Sequence, residues 1–252
     1  KIGTALEFVT ASSRYVSVLD HDDLRLTAGG TICLWVKWDG TYTNSGGAYP
    51  VVIAKYAAWY LAVTNNQGAI YFKPVSTAAS VTAANGSLVS GTWRHIAVVM
   101  SAAGHTIYVD GVNATVSAGD GTLPPNATNA VVIGAYQTTR GYFGGVLDDV
   151  RIYKRPLTAA EVLAIYNGGS GTEDVVTPAI GDIWFDSDDN NKAYRWNGSA
   201  WVDAAYDVAT WSKIVGDGKP DDNADVTADN PISTFRETFW DPNGDYLTRW
   251  TV

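Results

Sequence analysis

The chain has 252 residues, enough for one large β domain or two smaller ones, and 46% of them are apolar, enough to bury a core. Charged residues make up only 17%, which excludes a chain that is disordered throughout. The absence of any run of 18 apolar residues predicts no membrane insertion, and the absence of a basic patch predicts no nucleic-acid partner. Three scattered histidines and one cysteine predict neither a zinc site nor an internal disulfide.

Charge is divided unevenly along the chain. Residues 1–173 contain 11 Lys and Arg against 11 Asp and Glu, whereas residues 174–252 contain 6 against 15, so the second part carries the whole net charge of −9. The change falls beside GGSGTEDVVTP at 168–178, a stretch typical of a linker. We therefore predict a first domain at 1–169, a linker at 170–178 and a small acidic, Trp-rich β module at 179–252.

In the first part, short apolar runs alternate with turn residues, as in an antiparallel sheet. The run at 31–38 encloses Cys33, which we interpret as a small buried hydrophobic residue. The run at 93–100 is apolar on both faces and predicts a central strand, and the next run ends at Asp110-Gly111, a two-residue hairpin turn. Further strands are predicted at 2–9, 15–19, 51–60, 70–74, 131–133 and 146–153.

The strand at 146–153 contains a carboxylate on an apolar face. Strict alternation places Asp148 with Val150 and Ile152, where a carboxylate needs a partner.

One helix follows at 158–166, since Thr158 and Glu161 form a capping box and Asn167-Gly168 stops the helix with glycine as the left-handed residue.

The second part begins with a predicted three-stranded meander at 181–202, with Asn197-Gly198 as the turn between its last two strands. Asp186, Asp188 and Asn190 have the spacing that begins a calcium loop. The glycine and glutamate that such a loop needs at its sixth and twelfth positions are missing, so a hydrogen-bonded turn is the better interpretation.

Four stretches of the first part, in this order, resemble the laminin-G-like, pentraxin-like and concanavalin A-like jelly rolls. They are ALEFVTASSRYVSV at 5–18, TICLWVKW at 31–38, WRHIAVVMSAAGHTIYVDG at 93–111 and GGVLDDVRIYKRPLTAAEVL at 144–163. The resemblance covers residues 1–169 and implies an all-β, two-sheet antiparallel jelly roll with one short helix. In concanavalin A-like relatives an Asp near the position of Asp148 often holds calcium. The resemblance therefore implies a structural calcium ion at Asp148. The alternative for Asp148 is a hydrogen bond to a neighbouring loop.

The jelly roll hosts both enzymes and lectins, so function has to be argued from side chains. The glucanase branch needs paired carboxylates on a strand reading E-x-D-x-E, and none of the four glutamates stands in such a pattern. We therefore predict no enzymatic activity. Aromatic side chains beside Gly-rich connections can stack on sugars, although core packing is the alternative for each of them. The carbohydrate-binding candidates are Trp59, Tyr136, Tyr142 and Phe143.

The meander and the following TWSKIVGDGKPDDNAD at 210–225 resemble short modules of bacteriophage tail-fibre and host-specificity proteins, over about residues 179–230. This resemblance implies a protein of the virion surface that is assembled in the host cytoplasm with other virion proteins. It also implies a homo-oligomer, a trimer being the usual form. Two hypotheses remain open: an adhesin whose jelly roll binds a host-surface glycan, and a purely structural capsid decoration or fibre module without a ligand.

Overall fold

A computed structural model describes residues 5–42, 49–74, 79–167, 178–186, 192–203 and 209–210. The strands are β1 (Leu6–Phe8), β2 (Val16–Val18), β3 (Gly30–Trp38), β4 (Val51–Lys55), β5 (Trp59–Val63), β6 (Ile70–Pro74), β7 (Val81–Ala83), β8 (Trp93–Ser101), β9 (Gly104–Val109), β10 (Val112–Asn113), β11 (Thr115–Ala118), β12 (Val131–Ile133), β13 (Gly145–Tyr153), β14 (Ile183–Asp186), β15 (Lys192–Trp196), β16 (Trp201–Asp203) and β17 (Ala209–Thr210). Short 3-10 helices lie at Thr10–Ser12 and Asp22–Leu24, and the α-helix within these ranges is α1 (Ala159–Tyr166).

The strands form two antiparallel sheets that face each other across one core. Sheet A has the order β10-β9-β8-β3-β13-β14-β15-β16, and β1 pairs with the first half of β13. Sheet B has the order β11-β7-β6-β5-β4-β12-β2-β17. The core contains alternate residues of both sheets, such as Ile32 and Leu34 from sheet A with Leu61 and Phe72 from sheet B. The predicted two-sheet jelly roll is confirmed.

β8 is an interior strand, as its sequence predicts. It lies between β9 and β3, and its residues 95–100 are all buried. Ile96 and Val98 enter the core, while Ala97 and Val99 pack on the other face in a cluster that includes Val162 of α1. A strand with apolar residues on both faces can be accommodated only where both faces are covered.

The predicted turn at Asp110-Gly111 joins β9 to β10. Both residues have positive φ, 52° and 77°, the conformation that a two-residue hairpin turn with Asp-Gly favours. The Asp110 carboxylate accepts a hydrogen bond from the backbone N–H of His95 at 2.9 Å and pairs with Arg94 at 2.5 Å. The side chain therefore fastens the turn to β8.

β13 contains a bulge that breaks its alternation. Between the Asp148–Trp35 and Arg151–Cys33 pairs, β13 has one residue more than β3. The extra residue is Asp149, whose φ of 50° is left-handed. Asp148 therefore lies on the outer face of sheet A with Arg151, and the prediction that it shares a face with the apolar residues that follow is wrong.

The predicted meander is confirmed as β14 to β16, and it extends sheet A beyond β13. Two buried carboxylates fasten it. Asp23 pairs with Lys154 at 2.6 Å and with Arg195 of β15, and Asp182 accepts the backbone N–H groups of Ala179 and Lys154, each at 2.7 Å. The division into two domains stays a prediction, since residues 168–177 lie outside the described ranges, as do the loop at 187–191 and the Trp-rich residues 211–252.

The capping box of α1 is confirmed, because Thr158 accepts the backbone N–H of Glu161 and the Glu161 side chain bonds back to Thr158. Asn167, with φ of 45°, is the left-handed residue that ends the helix. The sequence analysis assigned that conformation to Gly168, which lies outside the described residues. In the part of the chain that the structure describes, no helix is long and apolar enough to cross a membrane.

Candidate functional site

An open cleft of about 340 Å³ lies beside the turn that joins β4 to β5. Its lining combines aromatic rings, small side chains and two lysines. The residues are Lys55, Tyr56, Ala57, Ala58, Trp59, Tyr60, Lys73 and Tyr136. A concave, partly aromatic surface with a few polar groups is the usual form of a small-molecule site.

The β4–β5 turn forms one wall of the cleft. It is closed by a hydrogen bond from the backbone N–H of Ala58 to the carbonyl of Lys55 at 2.9 Å. Ala57 between them has φ of 63°, a left-handed conformation that is strained for a residue with a Cβ atom. Such strain is retained where the surrounding structure imposes it, and it is found most often near functional sites.

Five tyrosines lie together on the outer face of sheet B. Tyr60 is central, with its ring 5.1 Å from that of Tyr136 and 5.8 Å from that of Tyr71. Tyr56 extends the group at 5.7 Å from Tyr136, and Tyr49 does so at 5.7 Å from Tyr71. The spacings are those of favourable edge-to-face and tilted aromatic pairs. We call this group the tyrosine cluster.

Strand alternation places these rings. In β5 and β6 the residues Leu61 and Phe72 enter the core, so Tyr60, Tyr71 and Lys73 point to the outer face. Tyr60 is paired with Lys73 across the two strands. The tyrosines cover a small buried patch of Val51, Ala54 and Ala62, whose short side chains leave room for rings above them.

Tyr136 comes from a loop that is fixed to sheet B. The backbone N–H of Val51 donates to the carbonyl of Gly141 at 2.9 Å, and that of Tyr136 donates to the carbonyl of Arg140 at 3.1 Å. The Arg140 guanidinium lies 5.2 Å from the centre of the Tyr136 ring, within the range of a cation–π contact. The Nε of Arg140 donates a hydrogen bond to the Gln137 side chain at 2.9 Å. The loop therefore presents a cation beside the cleft.

Lys55 has its charge neutralised within the fold. Its Nζ is buried and donates to Asp20 at 2.5 Å and to the carbonyl of Asn129 at 2.6 Å. Burial lowers the pKa of Lys55 and the neighbouring Asp20 opposes that effect. Burial also pushes the pKa of Asp20 upward, but its bonds to Arg25 and Lys55 outweigh burial and leave that pKa below its ordinary value.

The hydroxyl groups of Tyr60 and Tyr136 stay protonated near neutral pH. Burial raises the pKa of Tyr60 and of Tyr136 above the ordinary tyrosine value, with neighbouring tyrosines adding to the effect. A neutral phenol can both donate and accept a hydrogen bond. The cleft therefore offers aromatic ring faces together with hydroxyls that can donate or accept hydrogen bonds. This combination suits a ligand that carries several hydroxyl groups.

The four aromatic candidates from the sequence fall in different places. Tyr136 lines the cleft, and so does Trp59, although Trp59 is only 2% exposed and its indole Nε1 has no hydrogen-bond partner. Tyr142 is outside the lining and donates its hydroxyl to the carbonyl of Thr138 at 3.0 Å. Phe143 is fully buried in the core, so its ring has no face open to a sugar. The sequence analysis missed Tyr56, Tyr60 and Lys73.

Asp148 is 2% exposed on the outer face of sheet A. Its neighbour Asp149 uses both carboxylate oxygens to accept hydrogen bonds from Arg151, at 2.7 and 2.9 Å. Among the described residues no group of three or more His, Cys, Asp and Glu side chains is placed to hold a metal ion. Calcium takes six to eight oxygen ligands, which include backbone carbonyls as well as carboxylates. Calcium at Asp148 therefore stays a prediction based on resemblance, and a calcium-dependent rise in melting temperature would test it.

A family model described as the concanavalin A-like lectin/glucanases superfamily, of the laminin G type, matches residues 10–163. The chain belongs to this superfamily. The matched residues of this concanavalin A-like chain include β4, β5, β6 and the Tyr136 loop, so the cleft lies within the family domain. No curated protein sequence matches the chain significantly.

The chain is also similar to solved structures at low sequence identity. A candidate carbohydrate-binding protein from Bacteroides ovatus has 15% identity and a TM-score of 0.56, with 81% of this chain and 56% of that one covered. Domain 4 of AbnA, a GH43 extracellular arabinanase from Geobacillus stearothermophilus, has 19% identity, coverage of 65% and 77%, and a TM-score of 0.47. A heptameric SAP-like pentraxin from Limulus polyphemus has 18% identity, coverage of 70% and 96%, and a TM-score of 0.41. This chain therefore spans little more than half of the Bacteroides protein.

Proposed function

We propose that the chain is a non-enzymatic carbohydrate-binding protein and that the cleft beside the β4–β5 turn holds the sugar. The observation that carries the proposal is the tyrosine cluster, which brings Tyr56, Tyr60 and Tyr136 to one open cleft. The Bacteroides protein of the same fold is described as a candidate for carbohydrate binding, which is consistent with the proposal.

The chemistry of the cleft suits a sugar. A pyranose ring has an apolar C–H face, which packs on an aromatic ring, and a rim of hydroxyls, which need donors and acceptors. The tyrosine rings and their neutral hydroxyls supply both. Trp59 does not take part through its ring, because its side chain packs in the core on the same strand face as Leu61.

Among the described residues, the cleft lacks the side chains for glycoside hydrolysis. That reaction uses two carboxyl groups on either side of the scissile bond, and the lining residues include neither Asp nor Glu. The adjacent Asp148 and Asp149 lie on sheet A, and Asp149 is paired with Arg151. We therefore expect binding without turnover, and no release of reducing sugar from any glycan that binds.

A glycan array probed with the full chain tests the proposal, followed by titration of the best ligand. Tyr56→Ala is the main variant, since Tyr56 is 38% exposed and its removal leaves the core intact. We expect a loss of affinity of about five- to thirtyfold, because removing an anchoring aromatic ring typically costs about 1–2 kcal/mol. Tyr142→Ala is the matched control, since Tyr142 lies outside the cleft lining, and it should bind as the unchanged protein does.

Two results would contradict the proposal. An array on which the full chain binds no glycan would favour the purely structural alternative. Equal losses from Tyr56→Ala and Tyr142→Ala would place the sugar elsewhere on the fold.

We further propose a place on the virion surface, with host-surface glycan as the partner and a trimer as the assembled form. This part is supported by the resemblance of residues 179–230 to phage tail-fibre modules. Most of the acidic region lies outside the described residues. Its negative charge should make assembly stronger, or at least no weaker, as salt screens repulsion between copies. Light scattering at low and high salt tests this, and a monomer at micromolar concentration in high salt would contradict it.

A further inference from the structure

The cleft lies in the part of the chain that is free of acidic residues. From Gly40 to Val109 and from Gly121 to Leu147 the sequence has no Asp and no Glu, although the whole chain has 26 among 252 residues. These two stretches contain β4, β5, β6, β7 and β12 of sheet B together with the Tyr136 loop. They contain Lys55, Lys73, Arg94 and Arg140. The charged side chains that these two stretches contribute near the cleft are therefore all positive, and the nearby Asp20 is already bound to Lys55.

The cations beside the cleft are not equivalent. Lys55 is held by Asp20 and Asn129, so its charge is already compensated. Among the described residues, neither Lys73 nor Arg140 forms a salt bridge with a carboxylate. Lys73 lines the cleft directly, and Arg140 lies over the ring of Tyr136, which also lines it.

We propose that the cleft selects anionic glycans, in which a carboxylate or a sulfate group meets Lys73 and Arg140 while the sugar ring packs on the tyrosine cluster. This inference rests on the proposed function and names its ligand class. The physical reason is that an anion in the cleft gains charge-assisted hydrogen bonds and meets no competing acidic side chain from its lining. A neutral sugar gains only the ring contacts.

The distribution of negative charge along the chain supports an anionic glycan as the ligand. The net charge of −9 resides in residues 174–252, and residues 1–173 are neutral overall. A protein that is acidic as a whole would repel an acidic glycan, so such a ligand requires a site whose lining has no Asp or Glu and whose neighbouring Asp20 is neutralised by Lys55 and Arg25. The attraction is electrostatic and partly exposed to water, and added salt should weaken it.

The test compares glycans in matched pairs. The full chain is titrated with oligosaccharides that carry a uronate or sialate carboxylate, with sulfated oligosaccharides, and with the neutral parent of each, at about 50 and 500 mM NaCl. We expect the anionic member to bind about tenfold more tightly than its parent at low salt, and the difference to shrink at high salt. The carboxylate and sulfate arms identify which anion the cleft prefers.

Two variants locate the effect. Lys73→Gln and Arg140→Gln should each lower the ratio of the affinity for the anionic glycan to that for its neutral parent about five- to tenfold. Lys73→Arg keeps the charge and should restore most of the affinity. Lys37→Gln, which removes the same charge from β3 on sheet A, is the matched control and should have no effect.

The outcomes are distinguishable. Neutral parents that bind as tightly as their anionic partners would overturn the inference and leave carbohydrate binding intact. An anionic preference that survives in the Lys73→Gln and Arg140→Gln double variant would also overturn it. No binding to any member of the panel would overturn the proposed function and the inference together.

Discussion

Polar side chains are buried on the outer face of sheet A and partly exposed on the outer face of sheet B. On sheet A, Arg151 and Asp149 are 4% and 5% exposed and His95 is 1% exposed, beneath α1 and beside β14. On sheet B, Tyr56 is 38% exposed, and the cluster it belongs to borders an open cleft. On sheet A, charged side chains are therefore buried as part of the fold. On sheet B, aromatic rings and cations lie next to solvent.

This difference separates structural residues from binding residues within one fold. A buried charge is tolerated only with a close partner, so changes on sheet A should cost stability. An exposed ring such as that of Tyr56 contributes little to the fold, so its removal from sheet B should cost ligand affinity instead.

Arg151→Met should be the most damaging single change. It leaves the Asp149 carboxylate buried without its two hydrogen bonds and removes a cation that lies 5.8 Å from the Trp184 ring. Breaking a buried pair by removing one partner typically costs about 3–5 kcal/mol of unfolding free energy. Denaturant unfolding measures it.

The control for this change is Asp149→Asn combined with Arg151→Met. Asn tolerates the left-handed backbone at this position, and the double variant has no unpaired charge, so it should recover part of the lost stability. A single Arg151→Met variant within about 1 kcal/mol of the unchanged protein would contradict the structural role of this face.

Acid should destabilise the protein through His95. Burial and the nearby Arg151 lower the pKa of His95 from 6.5 to about 3. The unfolded chain therefore binds more protons than the folded one between these values, so stability is complete above pH 6.5 and falls as the pH drops toward 3. At pH 4.5 the loss should be about 2.5 kcal/mol.

His95→Phe isolates this effect. Neither ring nitrogen of His95 has a hydrogen-bond partner, and the ring packs against Trp35 at 5.3 Å and Tyr166 at 6.2 Å, so a phenyl ring should be tolerated. The stability of this variant should depend much less on pH between 6.5 and 4.5, as measured by urea unfolding at a series of pH values. An unchanged slope would show that His95 is not the group responsible.

Asp23→Asn should loosen the attachment of β14 to β16. It removes the charge that pairs with Lys154 and Arg195, and because those two partners are partly exposed we expect a loss of only about 1–2 kcal/mol. Asp22→Asn is the matched control next to it, since the Asp22 side chain is 80% exposed and should contribute less than about 0.5 kcal/mol. Limited proteolysis within 183–203 should accelerate only in the Asp23 variant.

Ala57→Gly should have the smallest effect on stability, and a favourable one. Relief of the left-handed strain, about 1–2 kcal/mol, exceeds the entropy that glycine adds to the unfolded chain, about 0.5–1 kcal/mol, so the net gain should be about 0.5 kcal/mol. A more mobile rim should weaken glycan binding at the same time. Ala58→Gly, next to it but without positive φ, should lose stability, and thermal melting compares the two.

The sequence predicts those elements whose signals are local. The apolar faces of β8, the Asp110-Gly111 turn and the Thr158–Glu161 capping box each depend on a few adjacent residues, and each is confirmed. The bulge at Asp149 has no such signal, because an aspartate in the middle of a strand pattern gives no indication of positive φ.

The cleft was predictable only in part, for a similar reason. Tyr136 stands out because glycines flank its loop, and it does line the cleft. The β4–β5 turn consists of Tyr56, Ala57 and Ala58, none of which is a usual turn residue, so the sequence analysis treats residues 51–60 as one strand. Without the turn, the alternation of β5 could not be assigned, and Tyr60 could not be placed on the outer face.

The thiol of Cys33 can be used to measure how often the folded protein opens. Cys33 is the single cysteine of the chain, it is fully buried in β3, and burial raises the pKa of its thiol. Cys33 packs on the outer face of sheet A beneath Val162 and Ile165 of α1, so a thiol reagent can react only with molecules in which α1 has left the sheet or the whole domain has unfolded. A glycan that binds only the folded protein slows labelling by the factor 1 + [L]/Kd when exposure requires global unfolding, and leaves the rate unchanged when release of α1 is enough.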